Sequence, residues 1–201
     1  MSPDLRKENI EILKEKYLDF IKEMMQEEAS LPPSLTVFCE VKEQEEFTNP
    51  DEIPLGLVHI PIPGKFMKDD ESKDELVDEV IPQIFDKVKE KFIPYAIAWA
   101  SEVWITAIKK TDEIQDVDQA YQKALESPHI NKQEAVYISI DSEEGNEIFV
   151  YNIHRDGKQI NADGDLVDTI RLEKNDLTTG GDENKFANVG GRFANLFHKL
   201  K

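Results

Sequence analysis

Cysteine is nearly absent: Cys39 is the only one in 201 residues. No disulfide can form within the chain, and a zinc cage of thiolates is excluded. Flanked by Val37 and Val41, Cys39 is expected to be a buried strand thiol. A reactive thiol would need a base and a lowered pKa, and nothing nearby in the sequence supplies either. Long apolar runs are missing too. The longest, Tyr95 to Ile108, is interrupted by Glu102 and falls short of the ~20 residues that span a bilayer. It suits a long strand. Basic residues are scarce beside acidic ones, 24 against 42, which leaves a formal net charge of −18. That deficit argues against a general nucleic-acid binder, whose phosphate contacts need clustered Lys and Arg. Charges begin at Asp4, Arg6 and Lys7 with no apolar region after them, so no secretory leader and a cytoplasmic, reducing location are expected.

Several chemistries lack their motifs. HExxH, the phosphate-loop pattern, G-x-G-x-x-G and G-x-S-x-G do not occur. Asn161 to Leu172 resembles the start of a calcium loop, but Leu166 stands where Gly is needed and Leu172 where the bidentate Glu belongs. A turn rich in Asp and Gly accounts for it better. Neither a cofactor nor a resident metal is expected.

The segments that are present read as follows. Ile10, Leu13, Tyr17, Phe20 and Met24 recur at helical spacing behind Ser2-Pro3-Asp4, giving an N-terminal amphipathic helix over residues 1–30. Alternation at Leu35, Val37, Cys39 and Val41 predicts a strand, and Gly56 to Ile62 a second. Ser72 and Glu75 fit a capping box at the head of a helix that Pro82 must kink or restart. The strand from Pro94 follows, then a helical stretch at 112–126. Glu134 to Asp141 and Glu147 to Arg155 are strands joined by a turn. Asp156-Gly157 is the strongest turn signal, with a short strand near Ile160, a second turn at Asp163-Gly164 and a strand from Leu166 to Leu172. The expected architecture is α+β, a single domain (core 31–177) with a mainly antiparallel sheet, helices on one face, and amphipathic helices at both termini. Residues 178–201 are a linker and a basic tail.

Ser101-Glu102-Val103-Trp104 followed, about thirty residues later, by Lys132-Gln133-Glu134-Ala135-Val136 resembles a group of uncharacterised bacterial and phage α+β proteins. Their mark is a "SE-x-W" strand followed by a basic-x-Glu-Ala strand. The resemblance spans roughly residues 72 to 155. It implies a fold without an assigned activity, and a phage-derived accessory or virion protein as one origin. Lys132 stands where that pattern has Arg, and the acidic extensions are this chain's own.

Glu102 is the one charge in an otherwise apolar strand. It shares a face with Ala98, Ala100 and Trp104, which could line a shallow pocket and raise its pKa for acid–base work. The plainer reading is an ion pair with Lys132 or Arg155. Glu134 and His154 complete the catalytic candidates, for a hydrolase or transferase using Glu102 with one of them. Residues 69–79 carry seven acids and one Lys. Such a run is usually a solvated helix start, and an imitation of nucleic acid that blocks a DNA- or RNA-binding protein is the sharper alternative.

The tail reverses the charge. Phe186, Val189, Phe193, Phe197 and Leu200 recur at helical spacing, with Lys185, Arg192, Lys199 and Lys201 outside the stripe. Phe186, Arg192, Phe193, Phe197 and Lys199 are the candidate contacts to a partner protein or to another subunit. The tail could equally cover its own sheet. The function expected from these features is non-catalytic protein binding or assembly, with no direct contact to nucleic acid or membrane.

Overall fold

The computed structural model describes residues 3–42, 55–106, 108–109, 132–160, 163–175, 185–186 and 196–200. The expected helix at 112–126 lies outside them, as do Arg192 and Phe193 of the tail.

Helix α1 (Pro3–Glu28) buries Ile10, Leu13, Tyr17, Ile21 and Met25. The buried stripe advances mostly by fours, so Phe20 and Met24 fall to its margin. Strands β1 (Ser34–Val41) and β2 (Leu55–Pro61) form an antiparallel hairpin. A short 3-10 turn (Gly64–Met67) leads into α2 (Asp70–Glu75), a π-helical turn (Leu76–Val80) and α3 (Ile81–Lys91). Then come β3 (Phe92–Thr106), the two-residue β4 (Ile108–Lys109), β5 (Lys132–Ser142), β6 (Gly145–Ile160), β7 (Leu166–Lys174), β8 (Lys185–Phe186) and a final helix α4 (Leu196–Leu200).

Six strands make one antiparallel sheet in the order β2-β1-β3-β5-β6-β7. Helix α1 touches both edge strands, β2 and β7, so the sheet curls around it. The expected α+β class with an antiparallel sheet holds. Helices on one face do not. Ala96, Ala98 and Ala100 of β3 face α1, while Ile97 and Trp99 of the same strand face α3 and α4. β3 is buried on both faces, so both faces carry small or apolar side chains. The alanines let α1 approach closely, and the shallow pocket expected over Ala98 and Ala100 is filled by this helix.

Three local expectations are corrected. The capping box sits one turn earlier: Asp69 accepts from the Ser72 amide at 2.8 Å, and the Ser72 hydroxyl answers the Asp69 amide at 3.3 Å. Asp156-Gly157 is no hairpin turn. β6 runs through it to Ile160, and its register against β7 shifts between Arg155 and Lys158, a β-bulge with Gly157 at φ 135°. The added residue takes a backbone angle that side chains resist, which is why glycine stands there. Phe186, expected at the head of the tail helix, instead pairs with Ile108 as a strand. Pro82 acts as expected. It lies in the first turn of α3, and the π turn directly before it widens the helix where an ordinary turn would meet the proline ring.

Candidate functional site

Four of the strands deliver charged side chains to one spot below the C-terminal end of α1. On β3, Glu102 continues the face of Ala98 and Ala100. On β5, Glu134 lies opposite Trp104, on the face of Val136 and Ile138. On β6, Arg155 follows Ile153 on that same side, just before the bulge. β7 adds Asp168.

Arg155 is the hub. Its Nε and Nη2 donate to the two Glu134 oxygens at 2.9 and 2.8 Å. Nη1 donates to Asp168 Oδ2 at 3.3 Å and to the Ala29 carbonyl at 3.0 Å. Glu102 Oε2 lies 3.7 Å from Nη2. The fork of a guanidinium matches a carboxylate with two parallel bonds, which lysine cannot do. The Arg155 bonds are the main cause holding the Glu134 carboxyl below its usual pKa, with desolvation opposing them. Glu134 in turn is the main cause of the raised pKa of Arg155.

The cluster grips the end of α1. That helix has no basic residue in its last turn, where Glu27 and Glu28 stand against the helix dipole. It ends at Ala29, which takes φ 56° and returns its amide to the Met25 carbonyl at 3.1 Å. A left-handed residue after a helix is usually glycine. The carbonyl groups released there are met from the sheet, Ala29 by Arg155 and Gln26 by the Gln159 amide at 2.6 Å. Two residues on, the Leu31 amide donates to Glu102 Oε1 at 2.5 Å. Arg155 therefore supplies the positive charge that the helix lacks, and Glu102 caps the exit of the chain.

This arrangement is poorly suited to proton transfer. A general acid needs a raised carboxyl pKa, and that of Glu134 is lowered. Glu102 spends one oxygen on a main-chain amide. His154, the third catalytic candidate, leaves β6 on the opposite face from Arg155, with its Nε2 3.0 Å from Glu173 Oε2. The structure thus joins Glu102 to Glu134 and keeps His154 away from both. Of the two ion-pair partners considered for Glu102, Arg155 is present. Among the described residues no group of three or more His, Cys, Asp or Glu could hold a metal ion.

The remaining candidates are placed as follows. Cys39 is buried, with its thiol 3.5 Å from the Gly56 carbonyl, and burial pushes its pKa up to about 11. All seven acids of residues 69–79 are exposed, while Leu76 and Val77 between them are buried. On the tail, Lys199 is exposed and Phe197 is not. Phe197 packs edge-on against Phe85 at 6.1 Å, and its amide donates to buried Asp141 at 2.6 Å. The Leu200 carbonyl accepts from Lys89 at 3.1 Å. No helix among the described residues is long and apolar enough to cross a membrane. Neither Asp168 nor Ala29 was a candidate from sequence. Asp168 sat inside the rejected calcium pattern; Leu31-Pro32-Pro33 signals the end of the helix, but nothing in the sequence marks Ala29 itself as its left-handed closing residue. The chain matches no known protein-family model, no curated protein and no solved structure.

Proposed function

We propose that the chain is a non-catalytic binding or assembly protein, built as one α+β unit. The observation that carries this reading is the use made of its inward-facing carboxylates. Glu102, Glu134 and Asp168 are spent on Arg155 and on the main chain at the end of α1. They hold a helix in place, and the Glu134 carboxyl is held below its usual pKa by Arg155. The surface left for function is strongly acidic and selects cationic partners.

Light scattering tests this directly. The full chain is weighed at low and moderate salt, alone and with a lysine-rich polypeptide. A mass above that of the monomer in either setting is expected, with the mixed complex weakening as salt rises. A monomer under every condition refutes the reading.

A second reading, the acidic imitation of nucleic acid, is favoured by the seven exposed carboxylates of residues 69–79, held on a helix pinned by Leu76, Val77 and Ile81. It predicts capture of a DNA-binding domain that is released by added duplex DNA. Failure of DNA to compete removes it.

A further inference from the structure

The sheet has two edges, and they are built differently. β7 carries Asp168, Arg171, Glu173 and Lys174. β2 carries no charge at all, the only strand among the described residues without Asp, Glu, Lys or Arg. Burial holds the His59 imidazole below its usual pKa, so it too is neutral near pH 7. Charged side chains are a common guard of a strand edge against pairing with another chain. β7 has that guard and β2 lacks it.

The ladder shows which groups β2 leaves open. The Ile62 amide donates to the Pro33 carbonyl at 2.8 Å. In an antiparallel ladder successive residues point their main-chain groups to alternate sides. Counting back by twos from Ile62, Ile60, Val58 and Gly56 turn theirs to β1, opposite Leu35, Val37 and Cys39. Leu55, Leu57, His59 and Pro61 turn theirs away from β1, and β2 is the last strand of the sheet on that side. Pro61 stands at an outward position, where its missing amide leaves no bond to β1 unmade. Both faces of β2 are packed, Leu55 and Leu57 against the layer under α1, Val58 and Ile60 against the layer under α3. Yet Leu55 to Ile60 are each only half-buried, while β1 beside them is buried from Ser34 to Cys39. The open side is the edge.

We infer that this edge pairs with the β2 edge of a second copy, antiparallel, to make one continuous sheet across a dimer. The inference names the surface for the assembly reading above and rests on that reading. A second copy fits for two reasons. The register centred on Val58 is self-complementary: Leu57 and His59 exchange both main-chain bonds across the twofold axis, and the Leu55 amide meets the Pro61 carbonyl. A cationic strand would find no counter-charge here, and two chains of net charge −18 approach with least repulsion along a strand that carries none. Each copy has one bare edge, so the pairing closes at two.

The test is light scattering of the full chain over a concentration series at low and moderate salt, with amide exchange followed by NMR at both ends of the series. The mass should rise to twice that of the monomer, and salt should strengthen the dimer by screening the like charges. The Leu55, Leu57 and His59 amides should exchange fast when dilute and slowly when concentrated. The Val58 and Ile60 amides, bonded to β1, should be slow in both. Val58→Glu sets two carboxylates side by side on the axis and should leave a monomer, whose fold circular dichroism checks. The exchange is measured on the native chain and decides even where that variant does not fold. A dimer whose Leu57 and His59 amides exchange at the same rate at both concentrations overturns the β2 pairing and leaves the assembly reading standing. So does a folded Val58→Glu variant that stays dimeric. A native monomer that still takes up the lysine-rich polypeptide overturns the pairing alone; one that binds nothing overturns both.

Discussion

Replacing Arg155 by Met keeps an unbranched apolar stem and removes the charge and the fork. Its partners would lose two bonds to Glu134, one to Asp168 and one to the Ala29 carbonyl. Glu102 and Glu134 would then lose their shared cation, and Asp168 would keep only the Lys158 ammonium, 3.8 Å away. The size of the effect depends on solvent. The Arg155 and Glu134 side chains are 32% and 23% exposed. An exposed pair is worth about 0–1 kcal/mol, and breaking a fully buried one costs about 3–5 kcal/mol. A charged hydrogen bond contributes about 1.5–3 kcal/mol. With screening by the water that reaches the cluster, a loss of about 2–3 kcal/mol is expected. At a urea slope of about 1–3 kcal/mol per molar, the unfolding midpoint should drop by about 1 M.

A double-mutant cycle with Glu134→Gln separates the pair from the rest. Glu134→Gln alone should destabilise, and in the Arg155→Met background it should cost less or even recover stability, because it relieves a repulsion. Amide exchange at the last turn of α1 should quicken in both variants. If Arg155→Met shifts stability by less than about 0.5 kcal/mol, the size of an ordinary surface change, the cluster does not lock the helix. Equal costs of Glu134→Gln in the two backgrounds would refute the coupling.

Acid should act in two separate windows. Burial holds the His59 pKa below 6.5, so the unfolded chain takes the proton first and stability falls as pH drops below about 6.5; replacing His59 by Gln should flatten that slope in pH-dependent urea melts. The Glu134 pKa is lowered from 4.5, so its contribution is complete above that value and is lost only as pH falls further; Glu134→Gln should remove this second slope and leave the first. Phe197→Ala should cost about 3–5 kcal/mol in thermal or urea unfolding, as truncation of a fully buried aromatic does, and a neutral result would mean that the tail is held elsewhere. Cys39 should resist a disulfide reagent at about pH 8 until the chain is unfolded, since its pKa stands at about 11; native-state labelling at the rate of a free thiol would contradict its burial.

Much of the sheet could be read in advance because strands announce themselves by alternation. Leu35, Val37 and Cys39 face one way along β1, as their spacing predicts. What the alternation also held, and a one-sided reading missed, was the second face. Ala96, Ala98 and Ala100 alternate with Ile97 and Trp99, so no solvent-facing polar series remains in that stretch. Such a strand needs cover on both sides. Asp156-Gly157 was misread for a different reason. A turn and a bulge ask the same thing of the chain, a residue with positive φ, and local sequence carries no mark of which is meant. The partner strand decides, and β7 pairs on both sides of the bulge.

The cluster beneath α1 was harder still, because its members are only brought together by the curl of the sheet. Glu102 stood out as a lone charge in an apolar strand, and that signal was sound. Its partners are spread from Ala29 to Asp168 and share no spacing. The helix end gave the other half of the problem. A last turn reading Gln-Glu-Glu, closed by Ala where Gly is usual, looks like a poor place to stop a helix. Its weakness makes sense only with Arg155 in place: the sheet provides the charge, and the bulge after Arg155 lets β6 turn toward the helix. An acidic chain would repel itself at such a junction, and one guanidinium held by three carboxylates converts that repulsion into attachment. The same reasoning assigns Glu102 to the fold. Its single oxygen on Leu31 fixes where the chain leaves α1 and enters β1, so losing it should loosen the helix.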